Sequence, residues 1–573
     1  MNKMTTFMLI LLLAAAGLSP ASPALTQTVN PGDSAATIQA AIDAVLASAD
    51  PTGEVVFNAG TYLLSASLTV AMNDDGEITL RGASAADRPV IVCPNYVGAT
   101  AEDGAISIAG TTTTLTIRDL VLLPPAIPGG GATNPNTIGI GGRSTLRSCT
   151  LNFVNLLLTG NNGANAPTSL DGLRDPALDA GTASRFANAC INLLPLAANV
   201  PTLVIGATDV ICSQALAEGF YLGGDTSTAA QTNPALGGAL KAHYHECTFS
   251  FNGLDGLRHV QIGRDDRFYR CKFSYNGSVS ENQGIQDGNW QPGTDTDGVG
   301  GRWLLEHCQA VGNSGSGFFM GSGESGQVRN CTSEGNGNYF VSPAGNAAHG
   351  LQTSANIGLL DIQGFFSNGN RGCGMSVNYG ENSAGTATLI RNVMVPVTGV
   401  NNTGLPTNTT FFSGIIAGGK SLLVEDVFVG QTPGCGLFRN ATGSLAGSNL
   451  TLRRCYFAHC GMTGILLWHT GADSSILLED VEVNGACLVP AALTSPDSVD
   501  RGGGGICIRN PGLSNTCSFT LTRVSVRNVA TGNLAAQGNG VRVEAPADRP
   551  AAWPSGATIA HRRNNGAISS AAR

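Results

Sequence analysis

The sequence predicts an all-β protein, a parallel β-helix wound from one chain, and three observations point there. Short alternating strands recur, as in "RFYRCKFSYNG" (267–277), "GQVRNCTSEGNG" (326–337) and "LTLRRCYFAHCGMTG" (450–464), each ending in an Asn/Gly turn. Period-2 alternation in short pieces punctuated by glycine is strand chemistry. A glycine followed by an aliphatic or aromatic residue trails each phrase, and from Gly256-Leu257 to Gly540-Val541 these markers recur at about 32 residues. Cysteine, finally, keeps returning to one place in the phrase.

The elements follow in order. Residues 1–24, "MNKMTTFMLILLLAAAGLSPASPA", combine Lys3, an apolar stretch from Phe7 to Leu18, and small residues at Ser22 and Ala24. That pattern predicts a secretory signal and a secreted chain. The apolar stretch is too short to span a membrane, and no longer one follows. In the segment 25–53, "DSAATIQAAIDAVLA" has apolar residues at helical spacing after an Asp or Ser cap, which predicts a helix over 34–47. The coils occupy 54–545, and 546–573 form a C-terminal tail. The 573 residues hold 76 glycines and only 12% charged residues, which favours one repetitive rod over several domains. A net charge of −9 excludes the basic signature of a nucleic-acid binder, and the rod is expected as a monomer.

Fifteen cysteines is an odd number for a secreted protein. Cys149, Cys247, Cys271, Cys308, Cys331 and Cys455 fall at one phrase position, taken elsewhere by Asn392, Asp426 or Asp480. Stacked at one corner of successive coils, small thiols need no pairing. Disulfides are the alternative for a secreted chain, with Cys455 and Cys460 another such pair.

The helix at 34–47, then "VVFNAGTY" (55–62), then stacked coils resembles the pectate-lyase-like superfamily, and the likeness spans about 28–545. The resemblance implies a single-stranded right-handed parallel β-helix with the helix as its N-terminal cap. That superfamily holds polysaccharide lyases, hydrolases, epimerases, tailspikes and non-catalytic surface proteins, so the fold does not fix the function.

Chemistry on such a rod is expected in a lateral groove, as a column of polar residues on neighbouring coils. The residue before each marker glycine supplies Glu218, Asp255, Asp297, Ser316 and His349 in the first half. At about 4.8 Å per coil, Asp255 and Asp297 would stand close enough to split their pKa values as an acid and base pair. The stretches "LDGLRHVQIGRDDRF" and "QDGNWQPGTDTDGVGGRW" add Arg258 and His259 as catalytic candidates. They also supply Arg264, Asp287, Trp290 and Arg302 as substrate-binding candidates, beside Glu218. "DTDGVG" (295–300) is similar to the Asn-Thr-Asp-Gly motif of polygalacturonase-type hydrolases, and "AHGLQTS" (348–354) to their Gly-His-Gly segment. This resemblance carries over Asp297 and His349, while the family's Asp pair and Arg-x-Lys have no counterpart in "GSGFFMGS" or "CGMSVNYGENS". Asp295 and Asp297 are also hard oxygen ligands of the kind Ca2+ takes, so calcium is a candidate cofactor. The expected partner is a polysaccharide, cleaved by carboxylate-assisted hydrolysis or β-elimination; the alternative is a non-catalytic glycan-binding scaffold or adhesin.

Overall fold

The computed structural model describes residues 25–48, 52–72, 76–93, 104–110, 114–124, 138–142, 149–160, 189–193, 203–215, 218–222, 241–259, 265–277, 285–287, 301–321, 323–337, 348–353, 357–378, 386–399, 412–439, 447–468, 474–486, 488, 504–509, 518–529, 539–544 and 569–571. The signal, and the tail apart from Ser569–Ala571, lie outside them. Every strand pairing among the described residues is parallel, in a 24-stranded sheet and a 16-stranded sheet that the chain visits alternately. The fold is the right-handed parallel β-helix that the repeat predicted.

The described helix, Ala35–Leu46, starts at Ser34, whose hydroxyl accepts the Thr37 N–H. Its Ile38, Ile42 and Val45 are buried against strands Leu25–Val29, Thr52–Phe57 and Leu68–Met72. Gly53 is required there, because a Cβ would strike the Val45 side chain.

Each later coil bends once within the larger sheet through a single left-handed residue. The series runs from Asp119 through Asn155, Asp209, Asn330, Asn392, Asp426 and Asp480 to Arg523, with φ near +50° to +60°. Asn and Asp tolerate this conformation best, since their short polar side chains bond locally. Arg270, His307 and Arg454 occupy it too, so pairing with the neighbouring coils outweighs their intrinsic preference.

The corner corrects the cysteine alignment. Val427, Cys455 and Val481 pair in register, so Cys247, Cys271, Cys308, Cys331 and Cys455 stand one residue after the corner and face the core as valine does. Asn392, Asp426 and Asp480 are the corner residues themselves. Cys149 pairs with Leu203 at the start of its strand and is not in this stack. The thirteen described cysteines are buried, and those of the stack, Cys247, Cys271, Cys308, Cys331 and Cys455, are free thiols. Within the stack four thiols donate to a carbonyl of the preceding coil, as Cys308 does to Phe268 at 3.2 Å and Cys247 to Ala207 at 3.4 Å, while Cys331 donates to Arg329 of its own coil and accepts the Cys308 N–H. Burial pushes the Cys149 and Cys455 thiols up to about 12.

At the next bend the Asn of each Asn/Gly turn points inward. Asn252, Asn276, Asn313, Asn336 and Asn370 form a ladder with no solvent exposure. Each Oδ1 from Asn276 onward accepts both the Nδ2–H and the backbone N–H of the preceding rung, at 2.8–3.2 Å. Each Nδ2 also donates to a carbonyl of the coil before, as Asn313 does to Phe273. Thr398, Thr432 and Cys460 take over the position further along.

Replacing Asn313 by Ala would strand the Asn276 donors and the Phe273 carbonyl in a dry interior. Chemical denaturation should show a loss on the order of 3 kcal/mol, against under about 0.5 kcal/mol for Asn449→Ala on the surface. Without reductant, a thiol reagent should find almost nothing in the native protein and several groups after denaturation, those of the stack among them. Recovery of one thiol or fewer would mean that disulfides hold the coils.

Candidate functional site on the short-strand sheet

Strands of the 16-stranded sheet are mostly three residues long, so the first and third side chains enter the core and the middle one faces out. Pairing Phe220 with Leu257, and Phe318 with Leu351, fixes which residues share the outer face. Along it stand Asn192, Tyr221, Arg258 and Gln352, then Ile416, Phe438 and Leu466. The last three join Cys373, Cys435, Met462 and Cys507 in an apolar cluster separate from the main core. Among the described residues the outer face thus turns apolar from Ile416 onward.

Its centre is Glu218, Tyr221 and Arg258. Arg258 Nη1 lies 3.5 Å from Glu218 Oε1, and its guanidinium carbon sits 6.0 Å above the Tyr221 ring. Arg258 keeps 36% of its side chain exposed and Glu218 keeps 10%. Burial raises the Glu218 carboxyl above its ordinary range, because desolvation outweighs its own backbone N–H and the pull of Arg258. Burial likewise raises the Tyr221 phenol.

The other predicted residues separate into distinct places. Asp255 is one coil beyond Glu218 and fully buried, its carbonyl accepting the Gly219 N–H. The coil stacked on it is marked by Ile285, which pairs with Leu257 on one side and Phe318 on the other. The strand on that coil thus starts at Ile285 and not at the expected marker Gly298-Val299. Strand alternation, which turns Arg258 outward, turns His259 into the rod. Its Nε2 is 2.8 Å from the Tyr244 hydroxyl and its Nδ1 is 3.6 Å from Asp266 Oδ2, all three side chains being buried. The expectation of a catalytic His259 is overturned: it belongs to an interior network. Asp287 pairs in register with His259. Arg302, placed with the groove by sequence, lies on the larger sheet, exposed and doubly bonded to Glu324 at 3.0 Å. Arg264, Trp290, Asp295 and Asp297 lie outside the described residues, and with them the calcium expectation; among the described residues no group of three metal-ligating side chains gathers.

His349 stands three coils past Asp255, about 14 Å along the rod. Its Nδ1 accepts the Cys373 N–H at 3.0 Å, and its own N–H donates to Ser316 Oγ, which in turn bonds Gln352 Oε1 at 2.9 Å. Burial lowers the imidazole to about 4, so it is neutral at neutral pH. Ser316 belongs to the column expected from sequence, whereas Tyr221 and Gln352 were missed; the middle place of each in the strand triplets "FYL" (220–222) and "LQT" (351–353) was the available signal.

No protein-family model matches this chain, and no curated protein does. Among solved structures it is similar to the catalytic domain of Agl-KA, at 12% identity over 92% of this chain and 69% of that chain, TM-score 0.34. It is also similar to the A-module of the Azotobacter vinelandii mannuronan C-5 epimerase AlgE4, at 14% identity, 89% and 95% coverage and TM-score 0.26. A third is pectate lyase Pel9A, at 12% identity over 81% of this chain and 78% of that chain, TM-score 0.26. The likeness is of fold alone, the parallel β-helix that the strand pairing describes.

The His349 shift has a sign that can be measured. The unfolded histidine takes up a proton near 6.5, whereas the folded one resists until about 4. Stability should therefore fall as pH drops through that window, by about 3 kcal/mol, and His349→Gln should shrink the fall. Denaturant midpoints at several pH values would read it, and an unchanged slope in the variant would contradict a buried neutral imidazole.

Proposed function

We propose that the protein is secreted and acts on a polymeric glycan laid along the outer face of the short-strand sheet, with Glu218 as general acid. The observation that carries this reading is the Glu218–Arg258 pair beside Tyr221, its carboxylate nearly buried and its guanidinium partly exposed, on a face that repeats once per coil and so suits a repeating ligand. A carboxyl raised by burial retains its proton closer to neutral pH and can deliver it to a glycosidic oxygen as the bond breaks. Arg258 supplies a planar fork for an anionic or hydroxyl-bearing sugar, and the Tyr221 ring a surface for sugar C–H groups. Asp255, on the next coil at about 4.8 Å spacing, is the nearest position for a second carboxylate.

A second reading, glycan binding without turnover, is favoured by the burial of that same Asp255, which leaves Glu218 as the partly exposed carboxylate of the cluster. A panel of polysaccharides assayed for new reducing ends and for ultraviolet-absorbing unsaturated products separates the two. Binding without either product supports the scaffold, and neither binding nor product rejects both.

On a cleaved substrate, Glu218→Gln should lower kcat by roughly two to four orders of magnitude with the fold intact. Arg302→Gln, on the other sheet, should leave turnover unchanged. Wild-type turnover by Glu218→Gln would remove Glu218 from the reaction.

A further inference from the structure

The turn that follows each ladder rung has its N–H bonded to the rung of the coil before, and this fixes a second column. Gly253, Gly277, Ser314, Gly337, Gly399 and Gly461 stand in it, all small. Arg371 stands in it as well, its N–H bonded to the Asn336 carbonyl. The side chain fits because Gly337 beneath it has no Cβ: one built there would press on the Cβ and Cδ of Arg371. Arg371 is only 3% exposed, and among the described residues its Nε has no hydrogen-bond partner. Arg81, Arg454 and Arg523, by contrast, are more exposed and each holds a carboxylate in a two-pronged pair.

The neighbouring coil brings a second donor. The segment Arg371-Gly372-Cys373 lies over Ala348 and His349, with the Gly372 N–H on the Ala348 carbonyl and the Cys373 N–H on His349 Nδ1. The imidazole is neutral, so that bond places its one ring proton on Nε2, and among the described residues no acceptor meets it. A guanidinium and an N–H donor thus sit on adjacent coils, at the edge of the outer face, about 19 Å along the rod from Arg258.

We infer that Arg371 and His349 form an oxyanion-binding site that takes a carboxylate or sulfate group. A charge removed from water without a partner is costly, and a planar two-oxygen anion matches both the fork of the guanidinium and the extra N–H. The anion is either free in solution or carried on an acidic polymer. The site does not depend on the polymer being cut, so it stands apart from the proposal for Glu218.

Thermal shift with sodium sulfate, against sodium chloride at matched ionic strength, tests it on the full chain, with a parallel titration by polygalacturonate oligomers and by neutral dextran. Wild type should show a saturable stabilisation by sulfate, by the acidic oligomer, or by both; sulfate alone identifies a free anion as the source, and the oligomer at far lower concentration identifies a polymer. Arg371→Gln should weaken the response at least tenfold, and His349→Gln should weaken it less. Arg371→Gly restores the residue most coils carry there and should fold at least as stably as wild type without ligand. No saturable response from either anion, or equal responses in wild type and Arg371→Gln, would overturn the inference. So would a large loss of stability in Arg371→Gly, which would make the arginine a strut.

Discussion

Everything in this molecule depends on coil-to-coil register, and the buried asparagine ladder is the interaction that enforces it. A parallel strand pair alone specifies its register weakly, whereas a one-residue slip moves every inward side chain to the outside. Across Asn252, Asn276, Asn313, Asn336 and Asn370 a slip would break two bonds per rung in a place water does not reach. That penalty exceeds any gain from alternative packing of the aliphatic residues. The left-handed corner residues act with it, since each bends the chain without adding a residue and so keeps both limbs of the larger sheet in step.

With register fixed, the outer face of the short-strand sheet is fixed as well, and it has two halves of different character. Coils up to residue 353 present Tyr221, Arg258 and Gln352, while those from Ile416 onward present aliphatic and aromatic groups buried in a cluster of their own. The interior also tolerates polar groups where they meet one another. Tyr244, His259 and Asp266 lie among Phe220, Phe249 and Phe268, with Tyr244 stacked on Phe268 at 5.1 Å. A histidine inside the rod is a packing element, and the residue beside it in sequence, Arg258, is the one on the outer face.

The period, the strand character and the thiol stack were legible in the sequence because each repeats many times. What was not legible turned on single-residue phase. The cysteine position was aligned one residue off, since Asp426 and Asp480 occupy the conformation that short polar side chains favour and look interchangeable with the Cys beside them. The ladder asparagines read as turn residues, because an Asn-Gly turn and an inward Asn followed by Gly are the same two letters. Most consequentially, the chain offers both Gly284-Ile285 and Gly298-Val299 as markers for one coil. Pattern alone favours neither, and choosing the second set Asp297 on Asp255, whereas the pairing of Leu257 with Ile285 leaves Glu218 and Asp255 as the carboxyl-bearing neighbours.

That choice of register is open to direct chemical measurement. The native thiols are buried, so cysteines introduced on the outer face can be oxidised selectively, and paired outward residues on adjacent strands stand at a separation a disulfide can span. The double substitution Arg258→Cys with Gln286→Cys should cross-link rapidly under mild oxidant, since those positions are partners. The pair Arg258→Cys with Gly300→Cys, which the other marker would align, should not. Cross-linking of the second pair in preference to the first would contradict the register, and with it the face on which Glu218, Tyr221 and Arg258 meet.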